Sequence, residues 1–240
     1  NISTISSFIV TGSGFKVTKH GNYGVSSNCG SSNVLEYLGV KFSNDETHLK
    51  KCLDQSNICY LHAPIFHPSM KNVAPIRKDL GFKTFFNLLG PLVNPSSPKN
   101  QITGVYNLEI ARLYGYIFKN TNKNFSIVYS LDGYDEISLT GSFKLINNFS
   151  EFISDCNYFK LQKTTAKDIL GGKSIEDSAN IFKNILSGKG TNNQVNVVLA
   201  NSSLAIQTIT NKDIDECIEI AKESIESGKA YSSLKKLIEA

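Results

Sequence analysis

A loop rich in glycine and serine holds the most chemically suggestive residues of this 240-residue sequence. Loops at the carboxyl end of a strand are where α/β sheets bind ligands, and glycines there let the backbone approach a ligand closely. Lysine and hydroxyl groups bind phosphate oxygens. A hydrophilic surface loop is the commoner identity of such a pattern, and a phosphate site is the alternative. The residues concerned are Lys19, His20, Gly21, Asn22, Gly24, Ser26, Ser27, Ser31 and Ser32.

Two adjacent carboxylates, Asp135 and Glu136, follow a strand-like stretch at residues 125–130. Magnesium takes oxygen ligands in proteins and usually keeps several of its waters, so a carboxylate pair on a loop suits it. An exposed acidic turn has the same pattern and is the commoner identity of such a pair. The sequence alone leaves both interpretations open.

A third group combines His67-Pro68 with Arg77, which lies ten residues further on in a predicted helix. A single arginine beside a glycine-rich loop could bind a carboxylate with both arms of its guanidinium. A solvated position on the helix surface, shared with Lys78, is the alternative for Arg77.

Alternating strand and helix patterns predict the elements that position these groups. Strands joined by crossover helices are typical of a mostly parallel sheet, and the last 65 residues have helical spacing. We therefore predict an α/β fold with a central, mostly parallel sheet flanked by helices and a helical C-terminal region. The predicted elements are helix 3–10, strand 15–18, helix 45–55 capped by Asn44, strand 58–61, helix 68–80, strand 101–106, helix 108–119, and strands 125–130 and 143–146.

Composition restricts the class of protein. Hydrophobic residues make up 40% and charged residues 19% of the chain, as in globular proteins, and the net charge is +4. No Lys/Arg run reaches five residues, so we expect no nucleic-acid partner. No apolar run approaches the roughly 18 residues that span a bilayer, and no basic-then-apolar leader is seen. Five scattered cysteines without metal-site spacing predict reduced thiols and a cytoplasmic protein.

Longer motifs, in order and with consistent spacing, resemble the anthranilate phosphoribosyltransferases from residue 1 to about residue 141. The helical tail, with its Gly171-Gly172, is similar more weakly. The motifs are Asn1-Ile-Ser-Thr4, Lys19-His-Gly-Asn22 with Val25-Ser-Ser27, Gly30-Ser-Ser-Asn-Val-Leu-Glu36, His67-Pro-Ser-Met70 with Val73-Ala-Pro-Ile-Arg77, Phe86-Asn-Leu-Leu-Gly-Pro-Leu92 with Asn94-Pro95, Gly104-Val-Tyr106, and Gly133-Tyr-Asp-Glu-Ile-Ser-Leu-Thr-Gly141.

This resemblance implies transfer of a phosphoribosyl group from phosphoribosyl pyrophosphate to anthranilate in tryptophan biosynthesis, with Mg²⁺ as cofactor and, for the full-length protein, a homodimer as the assembly. It places phosphoribosyl pyrophosphate at Asn1, Ser3, Thr4, Lys19, Ser26 and Ser27. It places anthranilate at His20, Gly21, Asn22, His67, Arg77 and Gly90. It places one Mg²⁺, bound on the diphosphate, at Ser3 and a second Mg²⁺ at Asp135 and Glu136.

Two departures from the family pattern accompany the resemblance. The family has a small N-terminal helical domain and a glycine-rich diphosphate loop before its Asn-x-Ser-Thr segment, whereas this sequence starts at Asn1. We therefore expect residues 1–240 to be the catalytic α/β domain without these two parts. In addition, Tyr23 stands where many members carry arginine, which weakens the local positive field slightly.

Two rival functions differ in class. A pyrimidine nucleoside phosphorylase shares the fold but would need a different loop in place of residues 19–22. A non-enzymatic relative that binds nucleic acid would show a basic groove and would lack the acidic pair, whereas Asp135 and Glu136 are present.

Overall fold

The structure, a computed structural model, describes residues 1–24, 29–69 and 88–240. Its helices are α1 (Ile2–Gly12), α2 (Ser31–Tyr37), α3 (Glu46–Ser56), α4 (Ala63–Phe66), α5 (Leu108–Lys119), α6 (Ile175–Leu186), α7 (Asn192–Thr210), α8 (Ile214–Glu226) and α9 (Lys229–Glu239). Its strands are β1 (Val17–Gly21), β2 (Ile58–His62), β3 (Asn100–Gly104), β4 (Asn124–Ser130), β5 (Phe143–Asn147) and β6 (Glu151–Ser154). Short 3-10 turns cover Gly90–Leu92, Cys156–Phe159 and Ala166–Ile169.

The described strands form two sheets. In the first, β1 pairs with β2 in parallel, from Val17 opposite Ile58 to Gly21 opposite His62. In the second, the order is β3-β4-β5-β6, with β3 and β4 parallel and the two later pairs antiparallel. The α/β class and the helical C-terminal region are confirmed. Parallel neighbours need a crossover connection, which is usually a helix. The connection between β4 and β5 contains no helix, so these two strands pair antiparallel.

Helix α7 joins two parts of the hydrophobic core. Val198 and Ile206 pack in the cluster that contains α1, β2 and the neighbouring C-terminal helices. Ala200 and Leu204 pack in a second cluster, with residues from β4, β5 and the loop between them. A helix that is apolar on more than one face is buried within a protein, as α7 is. Its position is therefore fixed from both sides.

Several predicted boundaries need correction. Helix α3 is capped by Asp45, whose carboxylate accepts hydrogen bonds from the backbone N–H groups of Thr47 and His48, so the prediction of Asn44 as the cap was wrong. Strand β1 begins two residues after the predicted start and includes the polar residues Lys19 and His20, because β2 offers backbone partners along its whole length. Strand β6 was not predicted. The predicted helix 68–80 falls mainly on residues 70–87, outside the described part of the chain.

Within the described ranges, every helix is either too short or too polar to cross a membrane.

Candidate active site

A large cleft with a volume of about 1230 Å³ runs along β1 and β3 and reaches their carboxyl ends at Gly21 and Gly104. Helices α1 and α7 form part of its wall. This is where parallel strands of α/β proteins present loops to ligands. Nine of the residues predicted as site residues line it: Ser3, Lys19, His20, Gly21, Asn22, His67, Gly90, Asp135 and Glu136.

Helix α1 turns one face toward the cleft. Ser3, Ser6, Ser7 and Val10 line the cavity at spacings of three, four and seven residues, which place them on one side of a helix. The Ser7 hydroxyl donates to the Ser3 carbonyl at 2.9 Å. The Ser6 hydroxyl is buried and meets no hydrogen-bond partner among the described residues. Ser3 and Ser6 therefore leave hydroxyl oxygens on the cleft side of the helix.

The other two predicted residues of this segment lie elsewhere. Thr4 is only 1% exposed and does not line the cavity. Asn1 is the exposed N-cap residue of α1, and its side-chain amide donates to the Cys29 carbonyl at 3.5 Å. Among the three predicted residues of this segment, the structure brings only Ser3 into the cleft.

Lys19 lies near the end of β1, with its Nζ donating to the Ser3 hydroxyl at 3.3 Å. Loss of water around the ammonium lowers the pKa of Lys19, while the carboxylates of Glu136 and Asp135 act in the opposite direction. The cation thus lies in the cleft between helix α1 and the acidic loop. A partly desolvated cation attracts an anion more strongly than one in water does.

The acidic loop is fixed closely against β3. A Cβ atom added to Gly104 would lie 1.6 Å from the backbone oxygen of Asp135, so only glycine permits this approach. The hydroxyl of Ser130, the last residue of β4, donates to the Glu136 carbonyl at 2.6 Å. Burial raises the pKa of Glu136, and the neighbouring charge and hydrogen bond of Asp135 raise it further. Two carboxyl groups that repel each other in this way favour a cation beside them.

We expect Gly104→Ala to displace the acidic loop. Overpacking against a backbone atom costs about 1–3 kcal/mol, which would appear as a lower melting temperature in thermal denaturation. Gly171→Ala is the matched control, because a Cβ at Gly171 would meet nothing within 4 Å. Equal stabilities of the two variants would contradict the close approach of β3 and the loop.

Two histidines face each other at the other side of the cleft. The rings of His20 and His67 are 5.2 Å apart and meet edge to face. Nδ1 of His20 is 3.2 Å from the Gly90 carbonyl, which can only accept, so Nδ1 carries the proton. Burial is the main cause that lowers the pKa of His20, with smaller contributions from His67 and Lys19. Neutral His20 therefore leaves Nε2 as an acceptor, and this buried atom has no partner in the described part of the chain.

The serines after Gly30 have a different role from the predicted one. The hydroxyls of Ser31 and Ser32 each bond to the hydroxyl of Tyr60 at 2.8 Å, and Ser32 also bonds to Nδ1 of His62 at 2.9 Å. Ser32 is fully buried. The prediction that the Ser32 hydroxyl binds phosphate was therefore wrong, because this side chain joins α2 to β2. Gly21 allows that packing, since a Cβ there would lie 2.3 Å from the Tyr60 hydroxyl.

Three predicted site residues, Ser26, Ser27 and Arg77, lie outside the described ranges. Among the cleft residues that were not predicted, Asn201 of α7 lines the cavity and bonds to the acidic loop. Asn201 is one of four asparagines in α7, so residue type alone gave no signal for its role.

Comparison with known proteins gives consistent results. Residues 1–231 match a family described as "Glycosyl transferase family, a/b domain". The chain is similar to the anthranilate phosphoribosyltransferase of Christiangramia forsetii, with 59% identity over 237 residues, covering 99% of this chain and 72% of that protein. It is similar to the enzyme of the same name from Flavobacterium johnsoniae, with 58% identity, covering 100% of this chain and 72% of that protein.

Solved structures resemble it over its whole length. Anthranilate phosphoribosyltransferase from Saccharomyces cerevisiae, in complex with PRPP and Mg, has a TM-score of 0.91 and 32% identity, covering 100% of this chain and 69% of that one. The enzyme from Thermus thermophilus has a TM-score of 0.92 and 27% identity, covering 100% and 72%.

Proposed function

The chain belongs to the anthranilate phosphoribosyltransferases of the glycosyl transferase family, and from this premise we propose that its cleft holds both substrates of that reaction. The enzyme transfers the phosphoribosyl group of phosphoribosyl pyrophosphate to the amino group of anthranilate, with release of pyrophosphate. The observation that carries the assignment of the cleft is the position of Lys19. Its ammonium lies against Ser3 and within the field of Asp135 and Glu136.

The reaction forms a bond between the anthranilate nitrogen and C1 of the ribose while the bond from C1 to the diphosphate oxygen breaks. Positive charge develops on the ribose, and negative charge develops on the departing diphosphate. Fixed donors and cations at the diphosphate stabilise that transition state because they need no reorganisation. Lys19 supplies such a cation, and the Ser3 hydroxyl lies beside it. Asn1, Thr4, Ser26 and Ser27 stay predicted contacts of this substrate.

Anthranilate is placed on the histidine side of the cleft. His20 and His67 line this side of the cleft, and Gly21, Asn22 and Gly90 line it as well. The aromatic amine is a weak base, so orientation of the two reactants matters more than a strong general base. Arg77 is proposed to bind the anthranilate carboxylate.

The donor set suits magnesium. Asp135, Glu136 and the Ser3 hydroxyl are hard oxygen ligands on one cleft. Within the described ranges no group of three or more acidic, cysteine or histidine side chains could hold a metal. The diphosphate and water would therefore complete the coordination, as is usual for Mg²⁺ bound with phosphates. Bound there, Mg²⁺ would neutralise charge on the departing diphosphate.

A direct assay tests this proposal. Anthranilate fluorescence should disappear when the purified protein is mixed with phosphoribosyl pyrophosphate and Mg²⁺, and it should persist when either is omitted. Turnover of uridine with phosphate instead would establish a nucleoside phosphorylase. Tight binding of nucleic acid without turnover of either substrate pair would establish the non-enzymatic alternative.

The domain assignment and the assembly complete the proposal. Residues 1–240 form the catalytic α/β domain. The homodimer of the full-length protein follows from the family resemblance, and the cytoplasmic location follows from the scattered, reduced cysteines. Light scattering on the full-length protein measures the assembly, since a homodimer has twice the mass of one chain.

A further inference from the structure

Asn201 is a polar side chain in the middle of the buried helix α7 and is only 5% exposed. Its carboxamide makes three hydrogen bonds. The side-chain oxygen accepts from the Ile137 N–H at 3.0 Å, and the side-chain nitrogen donates to the carbonyls of Ile137 and Val197 at 2.8 Å each. Both amide hydrogens are therefore used, so the side chain has a fixed orientation.

The two bonds to Ile137 are unusual because they join one side chain to both backbone groups of one residue. Ile137 is fully buried, so water cannot replace those partners. An unpaired buried backbone group costs about 1–3 kcal/mol, so both hydrogen bonds between Asn201 and the Ile137 backbone stay formed. Asn201 thus fixes the backbone directly after Glu136 relative to α7.

The preceding part of the loop is fixed from the opposite side. Ser130 donates its hydroxyl to the Glu136 carbonyl and its N–H to the Tyr134 carbonyl. The backbone oxygen of Asp135 lies against Gly104 of β3. The two carboxylates therefore project from a short backbone segment that is held by β3, β4 and α7.

We propose that Asn201 is a positioning residue for metal-bound diphosphate, acting through the Ile137 backbone on the direction of the Asp135 and Glu136 carboxylates. This inference rests on the proposed function of the acidic pair. Asn201 does not supply a ligand, since its amide groups are already paired. Groups that orient metal ligands in this way change metal affinity by about 10–100-fold when removed.

The principal test is Asn201→Leu, which keeps the number and branching of the side-chain heavy atoms and removes the three hydrogen bonds. Mn²⁺ in the presence of pyrophosphate serves as the probe, and free Mn²⁺ is measured by electron paramagnetic resonance. The expected result is a Kd for Mn²⁺ raised about tenfold or more. The KM for phosphoribosyl pyrophosphate should rise with it, and the KM for anthranilate should change little.

Ser202→Ala is the matched control. Ser202 is the next residue of α7 and is equally buried, but its hydroxyl donates to the Val198 carbonyl inside the same helix. This variant loses a buried hydrogen bond without touching the acidic loop. We expect its Mn²⁺ affinity to equal that of the parent protein.

Asp135→Asn separates the inference from the proposed function. If the parent binds Mn²⁺ with pyrophosphate and Asp135→Asn does not, the acidic pair holds the metal. Unchanged Mn²⁺ affinity in folded Asn201→Leu would then overturn the role of Asn201 alone. Equal Mn²⁺ affinity of Asp135→Asn and the parent would instead refute the metal site itself.

If Asn201→Leu does not fold, Ser130→Ala tests whether the loop backbone controls the two carboxylates. It removes the bond to the Glu136 carbonyl from the β4 side and leaves α7 intact. Weaker Mn²⁺ binding by this variant would support control of the carboxylates through the loop backbone. Unchanged binding would overturn it.

Discussion

Replacing Lys19 by methionine should lower kcat/KM for phosphoribosyl pyrophosphate by about 10²–10³-fold, the usual effect of losing one fixed electrostatic group at a developing anion. Methionine keeps the length and the apolar stem of the side chain but has no charge. The Ser3 hydroxyl then loses its donor, and the diphosphate faces the two carboxylates without the opposing cation. Steady-state kinetics with each substrate varied in turn measures the effect, which should be smaller on the KM for anthranilate.

Lys50→Met is the control for this change. Lys50 carries the same charge, but it lies on the exposed surface of α3 with its Nζ 2.6 Å from Glu46. Surface ion pairs of this kind contribute little to stability, so activity should remain within about twofold of the parent. If Lys19→Met stays folded and its kinetics match those of Lys50→Met, Lys19 has no part in the reaction.

Much of the site could be predicted from residue types and order. Lys19 follows one predicted strand, and Asp135 and Glu136 follow another, so the α/β pattern predicts both groups near the carboxyl ends of strands. That these strands belong to two different sheets was not predicted. Strands β1 to β5 and helix α5 also came from local periodicity. Helix α5 has the predicted bounds, and the strand boundaries differ from the predicted ones by at most three residues. These features are determined by residues close together in the sequence, so local sequence patterns predict them.

The remaining features depend on packing between distant segments. Asn201 and Ile137 are 64 residues apart, and no local pattern indicates their pairing. The hydroxyl of Ser32 looked available for phosphate, yet the packing of α2 on β2 directs it to Tyr60 and His62. Strand direction in the second sheet likewise depends on how the loop before β5 folds back, which residue types do not specify.

Replacing both carboxylates, by Asp135→Asn with Glu136→Gln, should lower turnover by about a thousandfold or more and abolish the saturable response to Mg²⁺. Loss of several kcal/mol of charge stabilisation at the diphosphate corresponds to that factor, at about 1.4 kcal/mol for each tenfold. The amides keep the shape of the loop and remove the charge of Asp135, which together with burial raises the pKa of Glu136. The folded state should therefore be at least as stable as the parent, which separates loss of metal binding from loss of structure.

Asp132→Asn is the matched control for the acidic pair. Asp132 lies on the same turn, is exposed, and accepts a hydrogen bond from the Thr140 hydroxyl, but it does not line the cleft. Turnover measured against Mg²⁺ concentration should be the same for this variant as for the parent. The position of a carboxylate in the cleft, and not its presence on the loop, would then determine the metal response. If the double variant and Asp132→Asn respond to Mg²⁺ alike, the metal is held by other groups, and the roles of Asp135, Glu136 and Asn201 fall together.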